Sequence, residues 1–212
     1  MKKLVLLLIA TLAIGTGVGF AATLGIGSDH LWAGSQTLTK GTCTVTGATD
    51  TDVDEASKTT SFGSASTLAL NPDTNSRRWA FLNFDLSSCS LPATAGADSA
   101  TLSLYVVNAP KSSFTLTLAK VTSAWSSSLT WNGAQSLSYA GATSTATAGT
   151  STGVWVDFTV TGDVDEFIKG ATNNGWRIVE TGSTSNATKD ETDFSSSDSA
   201  TNKPKLVINY EQ

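Results

Sequence analysis

Apolar and polar residues alternate along most of the chain downstream of Asp50. In "RRWAFLNFDLS", Ala80, Leu82, Phe84 and Leu86 fall on one face, and Trp79, Phe81 and Asn83 on the other. "TLSLYVV" sets Leu102, Leu104 and Val106 against Thr101, Ser103 and Tyr105. "FTLTLAKV" sets Phe114, Leu116 and Leu118 against threonines. In "VWVDFTVT", Val154, Val156, Phe158 and Val160 oppose Trp155, Asp157, Thr159 and Thr161. "GWRIVE" and "KLVINY" continue the same period. A period of two describes a strand with one dry face, the pattern of antiparallel sheets with one wet side. Asn71-Pro72-Asp73, Leu91-Pro92, Asn108-Ala109-Pro110, Asn132-Gly133 and Asn174-Gly175 supply turn chemistry between the runs. The expected fold is all-β: an antiparallel β-sandwich of jelly-roll type.

One short stretch breaks the pattern. Val164, Phe167 and Ile168 fall at helical spacing, with Asp163 and Asp165 in a first turn, Thr161 placed to cap and Gly170 placed to stop. A short helix near residues 162–169 follows. The Thr/Ala/Gly-rich stretch from Ala140 to Thr152 reads as a loop or an edge strand.

The N-terminus reads differently. Lys2 and Lys3 precede an uncharged run from Leu4 to Ala22, and Gly19-Phe20-Ala21 offers small residues for cleavage. This is a secretory signal peptide over residues 1–21. The competing reading is an uncleaved anchor, diluted by Thr11, Gly15, Thr16, Gly17 and Gly19. Either way the rest of the chain lies outside the cytoplasm, secreted or at the cell surface. Residues 22–47, with thinly spread apolar positions, read as an N-terminal arm carrying one or two strands. Residues 48–212 form the sandwich.

Charge and cysteines narrow the classes. The formal net charge of −5 repels phosphate backbones, so nucleic acid is not an expected partner, and the membrane is one only through an uncleaved signal. Cys43 and Cys89 are the only cysteines. In an exported chain they read as one disulfide, against the alternative of two buried thiols. Two cysteines and a lone His30 do not make a zinc site.

The sequence carries few signs of catalysis. His30 lies in the arm, a poor place for a Ser-His-Asp system. Of the acidic groups, Asp163, Asp165 and Glu166 suit a helix N-terminus, and Asp190, Glu191 and Asp193 a polar loop. Asp50, Asp52 and Asp54 share one face at strand spacing, and like charges so placed call for a cation or open water. A structural calcium ion there is one reading; a solvated sheet edge is the other. No other cofactor is expected. Trp79, Phe81, Tyr105 and Trp155 lie opposite the apolar rows, with Asn83 and Asp157 beside them. Rings with hydrogen-bonding neighbours suit the C–H face and hydroxyls of a sugar. Coverage of these rings by loops, as a second small core, is the alternative.

Several of these segments, in order, resemble one family. They are "DTDVDEAS", "RRWAFLNFDLS", "SATLSLYV", "WSSSLTWN", "VDFTVTGDVDEFIKGATNNGW" and "DFSSSDSATNKPKLVINY". Together, over about residues 49–211, they are similar to the DNRLRE-type domain, which overlaps carbohydrate-binding module family 96. Asp52 stands where that family usually has an aromatic residue. The resemblance implies a non-catalytic extracellular sandwich. The expected function is binding of extracellular or cell-wall polysaccharide. Two alternatives stand beside it: a filament or matrix subunit that self-assembles through the arm, and a glycoside hydrolase.

Overall fold

Among the described residues there are eleven strands, the alternating runs among them. The computed structural model describes residues 38–181 and 191–212, and within it Thr39–Gln212 belong to one compact unit. In chain order the strands are β1 (Lys40–Thr46), β2 (Thr49–Asp54), β3 (Thr67–Leu70), β4 (Arg78–Asn83), β5 (Gly96–Asn108), β6 (Phe114–Val121), β7 (Tyr139–Ala148), β8 (Trp155–Thr159), β9 (Trp176–Thr181), β10 (Thr192–Ser195) and β11 (Lys205–Glu211). Helix α1 (Trp131–Ala134) lies between β6 and β7, and α2 (Thr161–Ile168) follows β8.

These strands make two antiparallel sheets. The five-stranded sheet runs β2-β4-β9-β6-β7. The six-stranded sheet is organised around β5, the longest strand. β8 pairs along one side of β5; β11 and β10 pair along the other, and carry β1 and β3 at the outer positions. The fold is an all-β sandwich, as the periodicity requires.

The dry faces meet between the sheets. Ala80, Leu82, Leu102, Leu104, Leu116, Leu118, Phe158, Ile178, Phe194, Leu206 and Ile208 are all buried in one core. Each full burial of a large apolar side chain is worth about 1.5–3 kcal/mol. Val154 departs from its predicted row: it lies just before β8, past the end of the core, and is exposed.

The expected helix forms, with one change at its start. Val160 is the N-cap residue and Thr161 the first helical residue. The Thr161 hydroxyl accepts the Ala100 N–H at 3.0 Å, so it fastens the helix to β5 instead of capping it. Gly170, at φ +99°, takes the left-handed conformation just past the helix end. Asn132-Gly133 lies inside α1 and not in a hairpin turn, because the Thr130 hydroxyl accepts the Gly133 N–H at 3.3 Å and starts a helical turn. The low-complexity stretch largely becomes β7, an edge strand.

Part of the segment read as an arm belongs to the sandwich. β1 pairs with β11 from Lys40↔Glu211 to Thr46↔Lys205, and Cys43 is bridged to Cys89 within the chain. The predicted signal peptide, the first part of the arm with His30, and Asp190 lie outside the described residues. Among the described residues no helix is long and apolar enough to cross a membrane.

Candidate functional site

The four predicted rings separate onto the outer faces of two different sheets. Trp79 and Phe81 are on β4 of the five-stranded sheet, while Tyr105 and Trp155 are on β5 and β8 of the six-stranded sheet. A single platform of four rings is therefore corrected to two separate pairs with different fates.

The first pair is covered. The segment between β6 and β7 folds across the five-stranded sheet and sets Trp125, Leu129, Trp131 and Ala134 on Val53, Phe81 and Val121. Phe81 has 0% of its surface exposed, so it is not a ligand-contacting residue; Trp125 and Tyr139 pack on it at 5.6 and 6.4 Å between ring centroids. Trp79 lies 4.5 Å from Trp131 and beneath the Arg177 guanidinium at 4.8 Å. Arg177 also sits 3.8 Å from the centre of the Tyr139 ring, and burial lowers its pKa. Trp125 Nε1 donates to Asn174 O at 2.7 Å, and the Tyr139 hydroxyl donates to Ala134 O at 2.7 Å, which fixes the cover in place. These rings form a second small core.

The second pair stays accessible. Among the described residues Trp155 is the only aromatic in the exposed class, at 37%. Tyr105 is its direct partner across β5 and β8, with ring centroids 5.2 Å apart in an edge-on arrangement. Lys205 Nζ lies 4.1 Å from the centre of the Trp155 ring.

Register places polar side chains in rungs beside these rings. Asp157, Ser103, Lys205 and Thr46 occupy one rung across β8, β5, β11 and β1. Thr159, Thr101, Val207 and Thr44 occupy the next. Further along, Thr42 donates to Asn209 Oδ1 at 2.7 Å, and Asn209 Nδ2 donates to the Ser99 hydroxyl at 2.9 Å. Because β5 alternates strictly, Leu102, Leu104 and Val106 in the core force these neighbours outward. The result is a sheet face with rings at one end and hydroxyl and amide groups along the rest.

Asn83 and the aspartates have other partners. Asn83 closes β4, two residues beyond Phe81, and donates to Asn173 O at 3.3 Å. Asp50, Asp52 and Asp54 do share a face, but it is the inner one, opposite Leu82, Ala80 and Arg78 of β4. Asp50 accepts the Ser197 N–H at 2.7 Å, and Asp54 accepts the Ala56 N–H at 2.7 Å. The Asp52 side chain, 1% exposed, accepts Arg78 Nε at 3.0 Å. Burial pushes Asp52 up to about 6 despite Arg78, and it raises Asp50 as well. Thus each carboxylate has a protein partner. Among the described residues no group of three or more His, Cys, Asp or Glu side chains is gathered to hold a metal ion.

The family model for carbohydrate-binding module family 96 matches residues 41–210. The chain belongs to that family. The match begins inside β1, so the family's sandwich includes the strand carrying Cys43. No curated protein matches the chain. Modules of this kind are generally non-catalytic and typically extracellular, and the Cys43–Cys89 disulfide fits an extracellular protein.

Proposed function

We propose that this protein binds extracellular or cell-wall polysaccharide without turnover, on the outer face of the six-stranded sheet. Membership of carbohydrate-binding module family 96 supports the ligand class. The observation that carries the location is Trp155, the exposed aromatic on a face whose other positions are mostly polar. A sugar's C–H face packs on the indole, and its hydroxyls reach the polar rungs. Among the described residues Lys205 has no carboxylate partner within salt-bridge distance, and its ammonium can donate to a ligand oxygen beside the ring. A sheet face with hydroxyls along it suits a stretch of chain better than an isolated sugar.

The protein is secreted or held at the cell surface in this reading. Assembly by strand donation finds no support in residues 40–46, because β1 is already paired within its own chain and tied by the disulfide.

Tryptophan fluorescence tests the assignment. Titration with a panel of neutral and acidic polysaccharides should change the emission for at least one of them, and Trp155→Ala should abolish that change. An unaltered response in Trp155→Ala would move the site off this face.

A further inference from the structure

A cavity of about 410 Å³ lies at the end of the sandwich where β4 finishes, within the roughly 300–1,000 Å³ of small-molecule sites. Its walls include Asn83, Asp85, Leu86, Ser87, Phe167 and Asn173. Trp155 and Tyr105 are not among its lining residues.

One wall is the Asn173-Asn174-Gly175 turn. Asn173 Nδ2 donates to Phe84 O at 2.8 Å, and its Oδ1 accepts the Gly175 N–H at 3.0 Å. Gly175 has φ +66°, and a Cβ there would lie 2.0 Å from Leu82 O, so only glycine lets the turn close this tightly on β4. The facing wall is the short helical turn Leu86–Cys89. Asp85 Oδ1 accepts the Ser87 N–H at 2.9 Å and so caps that turn, and the disulfide to Cys43 ties down its far end. Both walls are therefore held by bonds independent of any ligand.

The groups left over are mainly acceptors. Asn83 donates its amide N–H to Asn173 O, and its Oδ1 receives no hydrogen bond from the described residues. Asp85 is exposed, and a carboxylate accepts more hydrogen bonds than Ser87 provides. The half-buried Leu86 and the edge of Phe167, which is 8% exposed, add apolar surface beside them. Neighbouring acceptors next to an apolar patch match the vicinal hydroxyls and C–H face of a sugar ring. The Asp85 charge disfavours an acidic sugar.

We propose that this cavity is a second carbohydrate site, which takes a single neutral sugar ring such as a chain end. Two sugar hydroxyls donate to Asp85 and Asn83 Oδ1, and the ring lies against Phe167 and Leu86. The proposal rests on the family's carbohydrate-binding role and not on the sheet face.

The test is a ¹⁵N–¹H correlation titration of the protein with the methyl glycosides of glucose, galactose and mannose. At least one glycoside should shift the amides of Asn83, Asp85, Ser87 and Asn173. Asp85→Asn keeps an N-cap, since Asn caps as well as Asp, and should weaken that response about tenfold by removing a charged acceptor. An unchanged melting temperature would show that the variant folds. Trp155→Ala should leave these shifts intact. Absence of shifts at the cavity with all three glycosides, or shifts undiminished in Asp85→Asn, would overturn the proposal. Polysaccharide binding left unaltered in Trp155→Ala, with the cavity response also retained, would sink the sheet-face assignment alone.

Discussion

Tyr105 and Trp155 are direct cross-strand partners on β5 and β8, with ring centroids 5.2 Å apart and the indole edge-on to the phenol. The phenol supports one side of the indole, so Tyr105→Ala should lower polysaccharide affinity by removing that support. Trp155→Ala should lower it more, by at least about tenfold, as central aromatic anchors do. Both should stay within about 1 kcal/mol of wild-type stability, because the rings are on a wet face. Calorimetric titration beside thermal melting separates the two effects.

The buried ring cluster predicts the reverse. Trp131→Ala removes a side chain packed on Trp79 and within the small core, and should cost about 3–5 kcal/mol. If the variant still folds, its polysaccharide affinity should match wild type. Urea unfolding gives the first quantity and a binding titration the second.

The contrast between these ring pairs marks how far the sequence can be read. Alternation correctly put Trp79, Phe81, Tyr105 and Trp155 on faces opposite the apolar rows. It carries no information on which sheet a strand joins, since that depends on pairings such as β4 with β9 and β5 with β8. Nor does it show that the segment after β6 folds back over Phe81. The aspartates teach the same lesson. Asp50, Asp52 and Asp54 share a face as their spacing demands, but β2 turns that face inward toward Arg78 and Ser197. Asp163 is a first-turn helix acid as its spacing predicts, but it is also buried and accepts Trp176 Nε1 at 2.7 Å and the Thr143 hydroxyl at 2.8 Å. No local signal announces a partner thirteen residues away on a strand. Asn83 was legible as a hydrogen-bonding group, but the cavity beside it depends on how the Asn173 turn meets β4.

Stability should depend on pH through the desolvated acids. Burial raises Asp52 and Asp193 to about 6, the latter helped by Glu191. A carboxyl whose folded pKa exceeds its unfolded value penalises the fold once ionised. That penalty is absent below about pH 4 and complete above about pH 6, on the order of 2 kcal/mol for Asp52 and less for the more solvent-screened Asp193. Glu55 acts oppositely: its fork-like hydrogen bonds with Arg77 lower it to about 2, and its stabilisation is lost as pH falls from its unfolded value toward 2. Thermal stability should therefore peak in mildly acidic solution, between roughly pH 4 and 5. Asp52→Asn should flatten the decline between pH 4 and 6. A melting temperature that rises steadily from pH 4 to 7 would contradict this.

Reduction should destabilise the sandwich. The disulfide joins positions 46 residues apart. On the chain-entropy account a loop of that length is worth roughly 4 kcal/mol. Denaturant unfolding with and without reductant should show a loss of that order, and Cys89→Ser should abolish the difference.

The sheet face also sets a ligand length. Tyr105 to Ser99 along β5 is about 20 Å at roughly 3.3 Å per residue, the length of about four sugar rings. Affinity should climb with oligosaccharide length up to about that size and then level off.

The most direct measurement is affinity electrophoresis of wild type and Trp155→Ala through gels cast with neutral and acidic polysaccharides. At least one polysaccharide should retard the wild type, and Trp155→Ala should migrate through it as through a blank gel. Equal retardation of the two proteins, or none in any gel, would contradict carbohydrate binding on the six-stranded sheet.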